Sequence, residues 1–78
     1  MQQIINDKLY DTDTAELIYS YKDPLKERNY YRSKMGAFFV HYIGIGKMEL
    51  VDEQVIKDIL AERDVSKYID IFGKVAEG

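Results

Sequence analysis

The sequence predicts an α+β fold: a small, mainly antiparallel sheet built of β-hairpins, with two to three helices packed on one face. Three observations carry this. Short apolar and aromatic runs are separated by turn-forming pairs such as Asn6-Asp7 and Met35-Gly36. Near the C-terminus, two stretches led by Asp52 and Ser66 instead repeat their apolar residues at three-and-four spacing. The chain has 78 residues, room for one domain, so both kinds of segment must share one small core.

Taken in order, Ile4 and Ile5 lead into Asn6-Asp7, which tolerates turn conformations, and Lys8-Leu9-Tyr10 returns as a short strand. One extended strand with a bend is the alternative. A helix is expected next, over Asp13 to Tyr21. Thr12 or Asp13 can cap it, Asp13-Thr14-Ala15-Glu16 fits a capping box, and Ala15, Ile18 and Tyr19 supply an apolar face. Asp23-Pro24 stops it, because the residue before proline is pushed out of the α region.

Tyr30 to Lys34 and Ala37 to Ile43 read as two strands joined at Met35-Gly36. With a two-residue turn, Arg32 faces Phe39 and Tyr31 faces Val40. The core face is then Tyr31, Ser33, Phe38, Val40 and Tyr42, and the other face presents Tyr30, Arg32, Lys34, Phe39 and His41. A bulged turn would swap one strand's faces relative to the other. Gly44-Ile45-Gly46 breaks the pattern, and Met48 to Val51 adds a short strand. Asp52 caps a helix with a buried stripe of Val55, Ile56, Ile59 and Leu60, a Val51–Ile56 staple and a Glu53–Lys57 pair, ending near Asp64. Ser66 caps a third, shorter helix carrying Ile69 and Phe72, and Gly73 stops it.

Hydrophobic content of 46% and aromatic content of 13% fit a folded chain rather than a disordered one. The absence of cysteine excludes disulfides, thiolate zinc sites and cysteine nucleophiles. No apolar run approaches the roughly 20 residues of a membrane span, and "MQQIINDKLYDTD" has neither the basic nor the apolar region of a secretory signal. The expected location is the cytoplasm. Net charge is −3 but unevenly spread. Lys22 to Lys34 carries +3, between an N-terminal segment and a C-terminal segment of −3 each. Neutralisation between neighbouring elements accounts for such a pattern without any external partner.

Chemistry-bearing patterns are few. His41 is the only histidine, and no residue of the right type stands at ligand spacing around it, so no metal is expected. "GIGK", Gly44 to Lys47, fails as a phosphate loop, since His41 occupies the first glycine position and Met48 the Ser/Thr position. It fails as a dinucleotide fingerprint because Glu49 stands where the third glycine belongs. The carboxylates, Asp52, Glu53, Asp58, Glu62, Asp64 and Asp70 among them, fall at caps or on polar helix faces. Neither an enzyme nor a cofactor is expected.

"KLYDTDTAELI" (Lys8 to Ile18), "YYRSKMGAFFVHY" (Tyr30 to Tyr42) and "DILAERDVSKYIDIFGKV" (Asp58 to Val75) occur in that order. Together they resemble a group of small uncharacterised proteins of Gram-positive bacteria and their phages and plasmids. Those proteins have a YDT-x-TA helix start, a YRTKKG-x-YFL hairpin and a C-terminal Y-x-x-IFG helix. The connection from Gly44 to Leu50 is short where such proteins often carry a longer glycine- and serine-rich insertion. The resemblance implies no activity. It implies a context of mobile-element accessory proteins that bind host machinery, of which anti-CRISPR inhibitors are one class.

The expectation is a non-enzymatic protein-binding module, with an inhibitor of a host nucleic-acid-handling complex as its most specific form. Tyr30, Arg32, Lys34, Phe39 and His41 form the expected contact face, because tyrosine and arginine dominate interface hot spots. Asp58 and Glu62 mark a second candidate surface. Two alternatives use the same hairpin face: direct DNA or RNA binding, which the acidic total opposes, and homodimerisation.

Overall fold

A computed structural model describes all residues, Met1–Gly78. The first hairpin pairs β1 (Gln2–Ile5) with β2 (Lys8–Asp11). Its turn residues Asn6 and Asp7 have φ of 51° and 64°, the paired left-handed conformations that a two-residue hairpin turn requires. Four further strands, β3 (Glu16–Tyr21), β4 (Arg28–Arg32), β5 (Phe38–Tyr42) and β6 (Lys47–Leu50), form an antiparallel meander in chain order. Two helices follow, α1 (Glu53–Arg63) and α2 (Val65–Phe72). The α+β class expected from the sequence is found, but the sheet is split in two.

The helix expected over Asp13 to Tyr21 is not formed; those residues hold a turn and then β3. The capping chemistry is spent on the turn instead. The Asp13 N–H donates to the Asp11 carboxylate at 2.9 Å, and the Thr14 and Ala15 N–H groups donate to the Asp11 carbonyl. Glu16 does not reach back to a cap amide but accepts from Arg32 and Lys67. Leu-Ile-Tyr-Ser-Tyr is rich in β-favouring residues, and pairing with β4 outweighs the weak helical spacing. The pairing shifts register between Leu17 and Tyr19, a bulge that leaves Ile18 pointing into the core.

The register of β4 against β5 also differs from the expected one. Ser33 pairs with Ala37, its N–H donating to the Ala37 carbonyl at 2.8 Å, so the loop is Lys34-Met35-Gly36, three residues rather than two. Gly36 adopts φ +88°, the left-handed conformation that closes such a loop. Tyr31 therefore faces Phe39 and Tyr30 faces Val40, one step from the expected pairing. Every side chain of β5 changes sides relative to β4.

The four-stranded sheet is covered on both faces. Against the helices lie Ile18, Tyr30, Phe38 and Val40, packed on Ile56 and Leu60. On the other face Tyr10 from the first hairpin packs with Phe39 and Met48, edge-on to the Phe39 ring at 5.4 Å. Gln3 fixes that hairpin to the sheet edge: its side-chain N–H donates to the Met48 carbonyl and its side-chain oxygen accepts the Met48 N–H, both at 3.0 Å. The carboxamide thus stands where a neighbouring strand's peptide group would stand.

The helices follow their expected bounds closely. Asp52 is the N-cap residue of α1, though its side chain makes no capping bond. Lys57 and Glu53 lie 3.9 Å apart. The cap of α2 is Asp64, not Ser66, accepting the Lys67 N–H at 3.1 Å, and Gly73 ends the helix at φ +93°. Neither helix is long and apolar enough to cross a membrane.

Candidate protein-contact site

The five residues expected on one contact face do not share one. Tyr30 is 6% exposed and sits in the helix-side core, its hydroxyl accepting from Arg28 Nε at 2.9 Å. Phe39 is fully buried on the opposite side of the sheet, stacked on Tyr31 with ring centroids 5.3 Å apart. His41 is half-buried beside it in the sheet, paired with Asn29 and Met48. Arg32 lies on the Tyr30 side and donates twice to Glu16 Oε1, at 3.1 and 2.7 Å. Lys34 alone stands exposed, in the turn. The three-residue loop is the cause, because it sends Phe39 and His41 to one face and Tyr30 and Arg32 to the other.

What the hairpin offers instead is its tip. A groove of about 430 Å³ lies between β2 and the β4–β5 turn, with Lys8, Leu9, Tyr10, Ala15, Lys34 and Met35 in its lining. A hollow of about 530 Å³ lies on the other side of the turn and shares Thr14, Ser33, Lys34 and Met35 with it. Met35 is 92% exposed and Leu9 60% exposed, so the rim is apolar where it is most open. Leu9 also pairs across the hairpin with Ile4, another exposed apolar side chain.

Two ammonium groups, Lys8 and Lys34, border the groove, and neither is in an ion pair. Asp11 lines it too, but its carboxylate is already engaged by the Asp13 N–H and by Gln2 Nε2 at 3.0 Å. The Asp13 backbone bond, then Gln2, hold this carboxyl below the usual aspartate range. Ser33 is engaged as well, its hydroxyl accepting the Ala37 N–H at 3.1 Å. The groove is therefore suited to apolar contact with carboxylate neighbours, and it holds no nucleophile beside a base. Nowhere in the chain do three His, Cys, Asp or Glu side chains converge as metal ligands would.

Asp58 and Glu62 do come together, one helical turn apart on α1, on a separate hollow at the far end of the helix face. That hollow, about 340 Å³, also receives Tyr21, Arg28 and Arg63. Sequence reasoning missed Leu9 and Met35, although a methionine at a turn tip is itself a signal, since turns favour small polar residues. It also missed Tyr21 and Arg63, which come from segments 42 positions apart. No family model, curated protein or solved structure matches this chain.

Proposed function

We propose that the protein is a non-enzymatic binding module that takes a protein partner at the groove between β2 and the β4–β5 turn. One observation carries the reading: Met35 and Leu9 expose large apolar surface on either side of a groove bordered by the unpaired Lys8 and Lys34. A chain gains nothing in its own stability from a methionine held in water at a turn tip, whereas a partner that buries it gains apolar contact area. The resemblance noted from the sequence supplies a context, accessory proteins that engage host machinery. Inhibition of a nucleic-acid-handling complex is the version of that context to be tested.

The test is affinity capture from a bacterial lysate with the tagged protein, with and without nuclease, alongside Met35→Ser and Leu9→Ser variants. The expected result is a nuclease-resistant protein retained by the wild type and lost from both variants, with a Lys47→Ala control unaffected. Capture that disappears on nuclease treatment and weakens steeply with salt would overturn the reading in favour of direct nucleic-acid binding through Lys8 and Lys34.

A further inference from the structure

The α1 hollow is separate from the groove, and its charges are arranged differently. Arg28 and Arg63 both lie against the Tyr21 ring, their guanidinium carbons 4.2 and 4.7 Å from its centroid. Arg63 also donates to the Tyr21 hydroxyl at 2.7 Å, and Arg28 to the Tyr30 hydroxyl. Aromatic faces and neutral hydroxyls thus hold two like charges near one another, with no carboxylate in ion-pair contact with either; Glu62, next to Arg63 in α1, acts on it only across space. Asp58 and Glu62, on the same helix as Arg63, also line the hollow and are equally without an ion-pair partner; Asp58 accepts from Gln54, at 2.8 Å. Val55 and Ile59, also on α1, leave apolar surface in the hollow partly open.

We infer that this face is the interface of a symmetric homodimer, in which Arg28 and Arg63 of each copy meet Asp58 and Glu62 of the other. A two-fold interface must be self-complementary, and a surface that carries two guanidinium groups gathered on the Tyr21 ring and two carboxylates on α1, none of them in an ion pair, meets that demand with a copy of itself. A partner chosen from elsewhere would have to carry the same pattern inverted. Shape agrees: the hollow is shallow and α1 supplies most of its lining, so the helix of each copy can seat against the Tyr21 side of the other. Need agrees as well, because only 9 of 78 residues are buried in the monomer and burying Val55, Ile59 and Tyr21 would enlarge that core.

Sedimentation equilibrium over a concentration series tests this with the full chain and two charge-reversed forms. Arg28→Glu/Arg63→Glu makes the face wholly acidic, and Asp58→Lys/Glu62→Lys makes it wholly basic. The wild type should sediment at twice the 9.1 kDa chain mass, with each variant alone dissociating at least about 100-fold more readily and an equimolar mixture of the two again forming dimers. Circular dichroism confirms that each variant is folded. Arg63→Glu alone serves if loss of the Arg28 bond to the buried Tyr30 unfolds the double variant. A wild type that stays monomeric throughout, a dimer indifferent to both reversals, or folded variants whose mixture stays monomeric would each overturn the proposal. None of these results depends on the groove, whose Met35→Ser variant should dimerise normally.

Discussion

The two faces of the central sheet are closed by different means. On one side α1 and α2 lay a helical layer over Ile18, Tyr30, Phe38 and Val40, and six residues form a continuous cluster. On the other a two-stranded hairpin, too small to be stable alone, covers Phe39 and Met48 with one inserted tyrosine and one glutamine clasp. The helix layer works by area, the hairpin by a few specific contacts. Each cover leaves a different surface behind: the helices a hollow bordered by two arginines and two carboxylates, the hairpin an apolar groove with free lysines.

Emptying each face in turn separates the two kinds of closure. Phe39→Ala should cost about 3–5 kcal/mol and Leu60→Ala about 2–5 kcal/mol in urea unfolding, because both side chains are fully buried. A cost below about 1 kcal/mol at Phe39 would mean that the hairpin face is no core at all. Gln3→Ala removes two bonds to the Met48 backbone and should cost about 1–3 kcal/mol. Hydrogen exchange should then quicken in β1 and β2 while the amides of β4 and β5 stay protected. Uniform acceleration across all strands would show that the hairpin is not a separate cooperative unit.

The smallest effect falls at the bridge between sheet and helix layer. Glu16 accepts from Lys67 at 3.0 Å and from Arg32, and these bonds, Lys67 first, hold its carboxyl below the usual glutamate range. A depressed folded value means stability that is present above the ordinary carboxylate range, about pH 4, and lost as the pH falls through the lower folded value. All three side chains keep a quarter or more of their surface in water, so Glu16→Gln should cost about 1 kcal/mol or less at neutral pH. It should also flatten the pH dependence of the melting temperature below about pH 4.5. An unchanged acid profile would show that the bridge contributes nothing.

Which parts of this molecule were legible in the sequence follows from how local their signals are. Asn6-Asp7 and Gly73 announce a turn and a helix end by their own backbone preferences, and α1 is announced by its apolar spacing. Glu16 to Tyr21 carried two patterns at once, and the choice was made by β4, a partner that local spacing does not reveal. The contact face was lost to a single residue. Gly36 serves a two-residue or a three-residue loop equally well, and the difference moved Phe39 from the surface into the core. Asp58 and Glu62 survived as a pair because helical spacing alone places them together.

The bulge in β3 has a bearing on how copies can assemble. β3 is a sheet edge whose backbone makes no bonds beyond those to β4, and an edge of that kind invites strand-by-strand growth without limit. The shift between Leu17 and Tyr19 bends and twists that row, so an incoming strand finds no straight ladder to extend, while at β6 the Gln3 carboxamide already occupies the Met48 positions. With both edges unsuited to strand-by-strand growth, contact between copies falls to side chains on the faces, where the proposed two-fold would close on itself and stop at two.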